Sequence, residues 1–322
     1  MHGQMQFADY VVSWALQALS KSLQKVSDYG PETAVPGADH LVLKPSDAKF
    51  LTQTAEQTFS LWQMMSWSVG KVEYRKAQAD LRQIAELTLG DRVPERLAAE
   101  RLLERAEGKS ARLLEQIMEA VVGEVDEPAA VRERLDELLQ AESERWRNYT
   151  LLRQAEESAL IEHGIVRAFE KGQKLTRKLN AIATAEGGTP SARRLQRTSR
   201  WVHHTVNHLE LLRPALSESG RTRRWHLTRL AAKLDEQWAL ERLARTAVVM
   251  ALRPKASARL GKLIQAQRAR LETQRQKLSV GAFAGGVESY RDEVTRAVAE
   301  LRLEQIVLLP LESLGRNGKE MG

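Results

Sequence analysis

Apolar side chains recur at intervals of three and four residues along almost the whole of this 322-residue chain, the period of an amphipathic helix. From Tyr74 to Leu89, the residues Ala77, Leu81, Ile84, Ala85 and Leu89 fall on one face, with Arg75, Lys76, Asp80, Arg82 and Glu86 on the others. No stretch of comparable length alternates with period two. The pattern predicts helices over 6–28, 46–69, 71–89, 92–107, 109–122, 128–160, 164–186, 190–213, 221–250, 254–280 and 286–308, and so an all-α fold. Pro45-Ser46-Asp47, Glu127-Pro128, Thr189-Pro190-Ser191 and Arg253-Pro254 read as helix starts. Gly187-Gly188, Gly220 and Gly285-Gly286 read as stops. Gly30 to Pro45 reads as one long loop. Long helices on short connections predict two antiparallel bundles of about four or more helices each, related by a pseudo-two-fold axis. A weak internal repeat agrees: Ser60-Leu61-Trp62 to Arg82, helix, break, helix, returns as Leu209-Glu210-Leu211-Leu212 to Leu234.

Charge divides the chain more sharply than periodicity does. The net charge of +7 is the sum of −7 over residues 1–161 and +14 over 162–322. The change near Glu162-His163-Gly164 marks the expected boundary, with an acidic bundle over 1–162 and a basic one over 163–322. Between His163 and Leu230, 14 Lys and Arg face only four acids, Glu170, Glu186, Glu210 and Glu218, and five histidines join them. An extended polyanion is the partner that such a segment fits. The chain has no cysteine, which removes disulfides, thiolate metal sites and thiol catalysis. Asp9 interrupts the apolar start of the chain and no Lys or Arg precedes it, so a cleaved signal is not expected. Apolar runs such as Ala247 to Leu252 fall far short of the roughly 20 residues of a membrane span. The expectation is a soluble, cytoplasmic protein.

The segment after Ser191 carries the most chemistry. At 100° per residue, Arg193, Arg197, Arg200, His204 and His208 form one stripe, and Leu195, Val202, Val206 and Leu209 lie nearly opposite. The helix thus predicts a packing face and a separate row of donors: Arg supplies planar forks for phosphate oxygens, and His adds a donor that charges near neutral pH. Arg194, His203, Lys174, Lys178, Arg223 and Arg229, from the same basic region, complete the candidate polyanion ligands. Read as structure alone, the row is a solvated face. His204 and His208 at i, i+4 could chelate zinc, but no glutamate accompanies them and four arginines stand nearby, so no metal is expected. Phosphate-loop, dinucleotide and nucleophile-elbow motifs are absent, and acid pairs such as Asp235-Glu236 read as surface charge. Trp201 and Trp225 lie where they could flank a ligand.

Gln196 to Leu211, with its Arg200, His203-His204 and Leu209-Glu210-Leu211, resembles the repeated signature of the CHAD domain, the conserved histidine α-helical domain. Leu227 to Glu236 is similar to the helix that follows that signature, and Gly70 to Leu89-Gly90 to the equivalent linker and helix of the first repeat. The resemblance implies two helical bundles around a basic channel that binds inorganic polyphosphate without catalysis or cofactor. Nucleic acid is an unfavoured partner, since no helix-turn-helix, zinc-finger or RNA-recognition motif is present. The chain departs from the pattern at Gln196, which stands for its histidine, at Ser199 for its first arginine, and at His203-His204 for its basic pair. In the first repeat Leu51, Thr54, Thr58 and Phe59 replace the family's His, Arg and basic pair, and Phe50 to Gly70 contains no Lys or Arg. That helix is expected to present Thr54 and Thr58 to solvent. A helical scaffold that keeps the fold and has lost the ligand is the alternative.

Overall fold

A computed structural model describes residues 6–28, 43–89, 94–121, 127–148, 156–184, 188–250 and 252–307. The described residues are helical and contain no strand. Helices α1 (Phe7–Ser27), α2 (Pro45–Met64), α3 (Lys71–Leu89), α4 (Pro94–Leu103), α5 (Lys109–Ala120) and α6 (Pro128–Asn148) come first. After them α7 (Glu157–Ala159) runs through a π-helical segment, Leu160–Val166, into α8 (Arg167–Thr184). Then follow α9 (Ala192–Leu211), a 3₁₀ turn at Arg213–Ala215, α10 (Glu218–Val249), α11 (Pro254–Ala282) and α12 (Gly286–Val307).

Most of the expected punctuation is where the chemistry puts it. Pro45 and Pro254 open their helices, where a missing N–H costs nothing. The Ser191 hydroxyl accepts from the Arg194 N–H and caps α9. Gly285 and Gly286 adopt φ +70° between α11 and α12, a conformation that favours glycine. Gly220 is not a stop, contrary to the expectation. It lies in the first turn of α10, whose cap is Ser217, and a Cβ there would come 2.4 Å from Glu293 Oε1. Close packing, not chain termination, requires the glycine. The expected loop from Gly30 falls largely outside the described residues, as does Gly187.

Of the helix expected over 128–160, Pro128–Asn148 is helical, 149–155 lie outside the described residues, and the next described helical run begins at Glu157. Glu162-His163-Gly164 therefore sits inside an unbroken helical run. The extra residue of the π turn is accommodated where Gly164 packs on α2: a Cβ on it would meet Met64 Cγ at 2.4 Å and the Met64 carbonyl oxygen at 2.6 Å.

Helices α1, α2, α3 and α6 pack together, with α1 and α3 against both α2 and α6. At their centre Glu142 accepts from the indoles of Trp62 and Trp146 and pairs with Arg145, which reaches Asp80 at 2.6 Å. Burial raises the Glu142 carboxyl above its ordinary range despite those donors. In the second half α10 lies between α9 and α11, and α8 covers α9. With 32 residues, α10 is about 48 Å long, long enough for two neighbourhoods. Its first part packs in the main apolar cluster, which runs from Phe7 to Leu301. Its later residues Ala239, Leu240 and Leu243 join a second cluster with Ala98, Leu102 and Leu114 of α4 and α5 and Leu260 and Ile264 of α11. Both clusters draw residues from either side of residue 162.

Two glycine substitutions check this packing in opposite directions. Gly164→Ala forces backbone and Met64 apart and is expected to cost about 1–3 kcal/mol. Gly261→Ala, inside α11 with nothing within 4 Å of the new Cβ, is expected to gain about 0.5–1 kcal/mol. Urea unfolding of the two variants measures both.

Candidate functional site

Helix α9 is enclosed on three sides, by α2, α8 and α10, and that enclosure decides which of its polar residues can meet a ligand. Leu195, Val202 and Leu209 are buried as the periodicity predicts, and Val206 is half-buried. Arg193, Arg194, Arg197 and Arg200 are exposed. His204 and His208 are not in that row. They are buried, 3% and 0% exposed, and face α2. Thr54 and Thr58 of α2, expected at the surface, are buried as well.

The α2–α9 crossing is polar and closes on Ser60. Its Oγ lies 2.9 Å from the Glu56 carbonyl oxygen, 3.0 Å from His204 Nδ1 and 2.9 Å from Asn207 Nδ2. A hydroxyl has one hydrogen and two lone pairs. All three contacts are satisfied when Ser60 donates to Glu56 and accepts from Asn207 and from a protonated His204 Nδ1. The Ser60 carbonyl lies 2.9 Å from His208 Nε2 and can only accept, so His208 carries its proton on Nε2. Burial holds both imidazoles neutral: it lowers His208 to about 4, with the Ser60 carbonyl opposing, and takes His204 well below its ordinary value, helped by His208, His203 and Arg200. Phe59 and Trp201 meet the His204 ring edge-on at 5.2 and 5.5 Å.

Beside this crossing opens a pocket of about 300 Å³, lined from α2, α3, α9 and α10. Its walls are apolar at Phe59, Leu81 and Trp238, and Gln78, Arg82, Gln196 and Arg200 add polar groups. Ser199, His203 and Asp235 form a chain on one side: Ser199 Oγ donates to Asp235 Oδ1, and His203 Nε2 lies 2.7 Å from Asp235 Oδ2. Burial alone would discharge His203, but Asp235, with Glu56 assisting, lifts it to about 9. Burial likewise works against the Asp235 charge, and His203 and the Ser199 hydroxyl bring it below its usual range. Desolvation raises Glu56, with His203 opposing and Asp235 reinforcing. Ser199 bonds to the carboxylate and not to the histidine, so no activated nucleophile is set up.

The second polar feature is the outer face of α8 and α9. Lys171 Nζ stands 4.4 Å from the centroid of Trp201, a cation–π contact. Its pKa is lowered by burial and by the neighbouring Arg167 and Arg197, which places three cations close together. Lys174 and Lys178 are exposed one and two turns further along α8. The remaining candidates lie elsewhere. Arg223 is buried, paired with Glu293 at 3.3 Å and donating to the Ala284 carbonyl at 2.9 Å. Arg229 is exposed over the ring of Trp225, 4.4 Å from its centroid. No group of three or more metal-ligating side chains occurs among the described residues, and no described helix is long and apolar enough to cross a membrane.

The spacing argument did not find Glu56, Arg82, Gln78 and Trp238, because they come from three other helices. Asp235 was visible as half of an acid pair and within the Leu227–Glu236 stretch of the resemblance, with no role at a site. Comparison with known protein-family models, with curated proteins and with solved structures gives no match for this chain.

The titration of the three histidines separates the site from the seam. His203, with a folded value near 9, is expected to be a cation at pH 8, and His208, near 4, a neutral Nε2–H ring at pH 5.5. The folded value of His208 lies below its unfolded 6.5, so its contribution to stability is intact above 6.5 and drains as pH falls toward 4. That of His203 is full below 6.5 and is lost as pH rises through 9. Imidazole nitrogen NMR of Asp235→Asn is expected to show His203 falling from about 9 to 6.5 or below, with His208 unmoved.

Proposed function

We propose that this chain is a non-catalytic binding protein for an extended phosphate polyanion, inorganic polyphosphate or a similar chain, held on the basic face of α8 and α9. This is the activity implied by the CHAD resemblance, in a divergent form. One observation carries the reading. Arg167, Lys171, Lys174, Arg193 and Arg197 have no carboxylate within 4.0 Å among the described residues, although Arg145, Arg223, Arg224, Arg242, Arg268 and Arg291 each do. Like charges left together raise the energy of the free protein, and a row of phosphates relieves them. The charge-assisted contacts available are worth about 1.5–3 kcal/mol each.

The scaffold alternative draws support from a different observation. Asp235 and Glu56 stand in the pocket, and His204 and His208 are used up against α2, so the lining of the α2–α9 crossing is not cationic throughout. The two readings differ in a direct measurement. Polyphosphate is expected to bind, with a loss of about two to three orders of magnitude in affinity from 50 to 200 mM salt for roughly four to six contacts. Lys171→Ala and Arg197→Ala are each expected to weaken binding by about 1.5–3 kcal/mol and to move the thermal midpoint little, since both side chains lie outside the packed core. Absence of binding to the wild-type protein at 50 mM salt decides for the scaffold.

A further inference from the structure

The pocket beside the α2–α9 crossing has a chemistry of its own. Arg82 and Arg200 line it together with Glu56 and Asp235, yet neither arginine lies within 4.0 Å of a carboxylate among the described residues. Asp235 is engaged on both oxygens, by Ser199 and by His203. The Glu56 carboxyl has no hydrogen-bond or ion-pair partner among the described residues. One cavity is therefore lined by two arginines without a carboxylate partner and by Glu56, whose charge is met only at a distance by His203, between apolar walls that include Phe59 and Trp238.

Each candidate ligand class is tested by those groups. A chain of phosphates would satisfy the arginines but would bring negative charge against Glu56 and Asp235. A purely apolar molecule would fill the walls and leave three ionisable groups unpaired in a partly desolvated space. A divalent cation would meet two arginines. What fits is an amphoteric molecule: an anionic group for the two planar forks, a flat body for the aromatic walls, and N–H donors for a carboxylate that can only accept. The volume, about 300 Å³, is at the small end for ligand sites and admits a single nucleotide at most. We propose that this pocket is a mononucleotide site that prefers guanine, with the phosphate on Arg82 and Arg200, the base against Phe59 and Trp238, and the paired N–H donors of the guanine edge on Glu56. Adenine offers one amino donor beside an acceptor, which a carboxylate cannot use twice. The site draws on α2, α3 and α10, which the α8–α9 face does not include, and it goes beyond the polyanion reading without resting on it.

Calorimetric titration at pH 8 with guanosine 5′-monophosphate, adenosine 5′-monophosphate, guanosine and inorganic phosphate tests it. The guanine nucleotide is expected to bind at least about tenfold more tightly than the other three, the scale of one charge-assisted contact. Arg82→Ala is expected to weaken it about tenfold or more, and Glu56→Gln to remove the preference over adenine. Both side chains are exposed, and an unchanged thermal midpoint verifies folding. Lys171→Ala is expected to leave nucleotide binding intact while weakening polyphosphate, so the two sites fail independently. Inorganic phosphate binding as tightly as the nucleotide, a guanine preference that survives Glu56→Gln, or no nucleotide binding at all overturns the proposal.

Discussion

The arrangement of this molecule depends on one buried hydroxyl and the carbonyl of the same residue. Ser60 sits where α2 crosses α9 and takes contacts from His204, Asn207 and His208. Burying two polar helix faces against each other costs about 1–3 kcal/mol for each unmatched donor or acceptor; Ser60, His204 Nδ1, Asn207 and His208 Nε2 are matched here, while Thr58 Oγ1 and His208 Nδ1 have no partner among the described residues. Matching fixes the tautomers of both histidines, and burial holds them neutral. It also fixes the rotation of α9 about its axis. With His204 and His208 turned toward α2, Arg200 and His203 are carried to the pocket, and Arg193 and Arg197 to the outer face shared with α8. The position of the cations is thus set by a seam that contains none of them.

Charge is distributed in two regimes as a result. Within the bundles, cations are neutralised locally, as Arg145 is by Glu142 and Asp80 and Arg223 by Glu293. On α8 and α9, and at Arg82 in the pocket, they are left without carboxylate partners among the described residues. His203 belongs to neither regime. It is charged because Asp235 makes it so, and the pair leaves the pocket with both signs of charge close together. That mixed lining separates the pocket chemically from the predominantly basic face next to it, where Glu170 is the acid beside Lys171.

How much of this could be read beforehand depends on what each residue pairs with. The apolar period of α3 placed Ala77, Leu81 and Ile84 correctly in the core, because a hydrophobic face must be buried against something and the spacing alone identifies it. The proline, serine and glycine signals were equally local, and most of them held. Thr54, Thr58, His204 and His208 were misjudged for one shared reason. A stripe of polar residues has the same spacing whether it meets water or another polar stripe, so periodicity cannot see the partner across the crossing. Gly220 shows the same limit on a smaller scale, since the carboxylate that excludes a Cβ comes from Glu293, 73 residues away in sequence. The pocket was illegible because four helices contribute to it. Its α9 residues could be listed from the sequence, but Glu56, Arg82 and Trp238 become neighbours only through the fold.

The central claim is that the α2–α9 crossing is held by specific matched hydrogen bonds. A double-mutant cycle on Ser60→Ala and His204→Phe, read by urea unfolding, tests it most directly, because Phe keeps the ring packed against Phe59 and Trp201 while removing the nitrogen. The account predicts that each single change is destabilising and that the two are coupled by about 1–3 kcal/mol, since Ser60→Ala leaves the His204 Nδ1–H unmatched in a buried place and His204→Phe removes that donor. Additive effects, with coupling within about 0.5 kcal/mol, would contradict it.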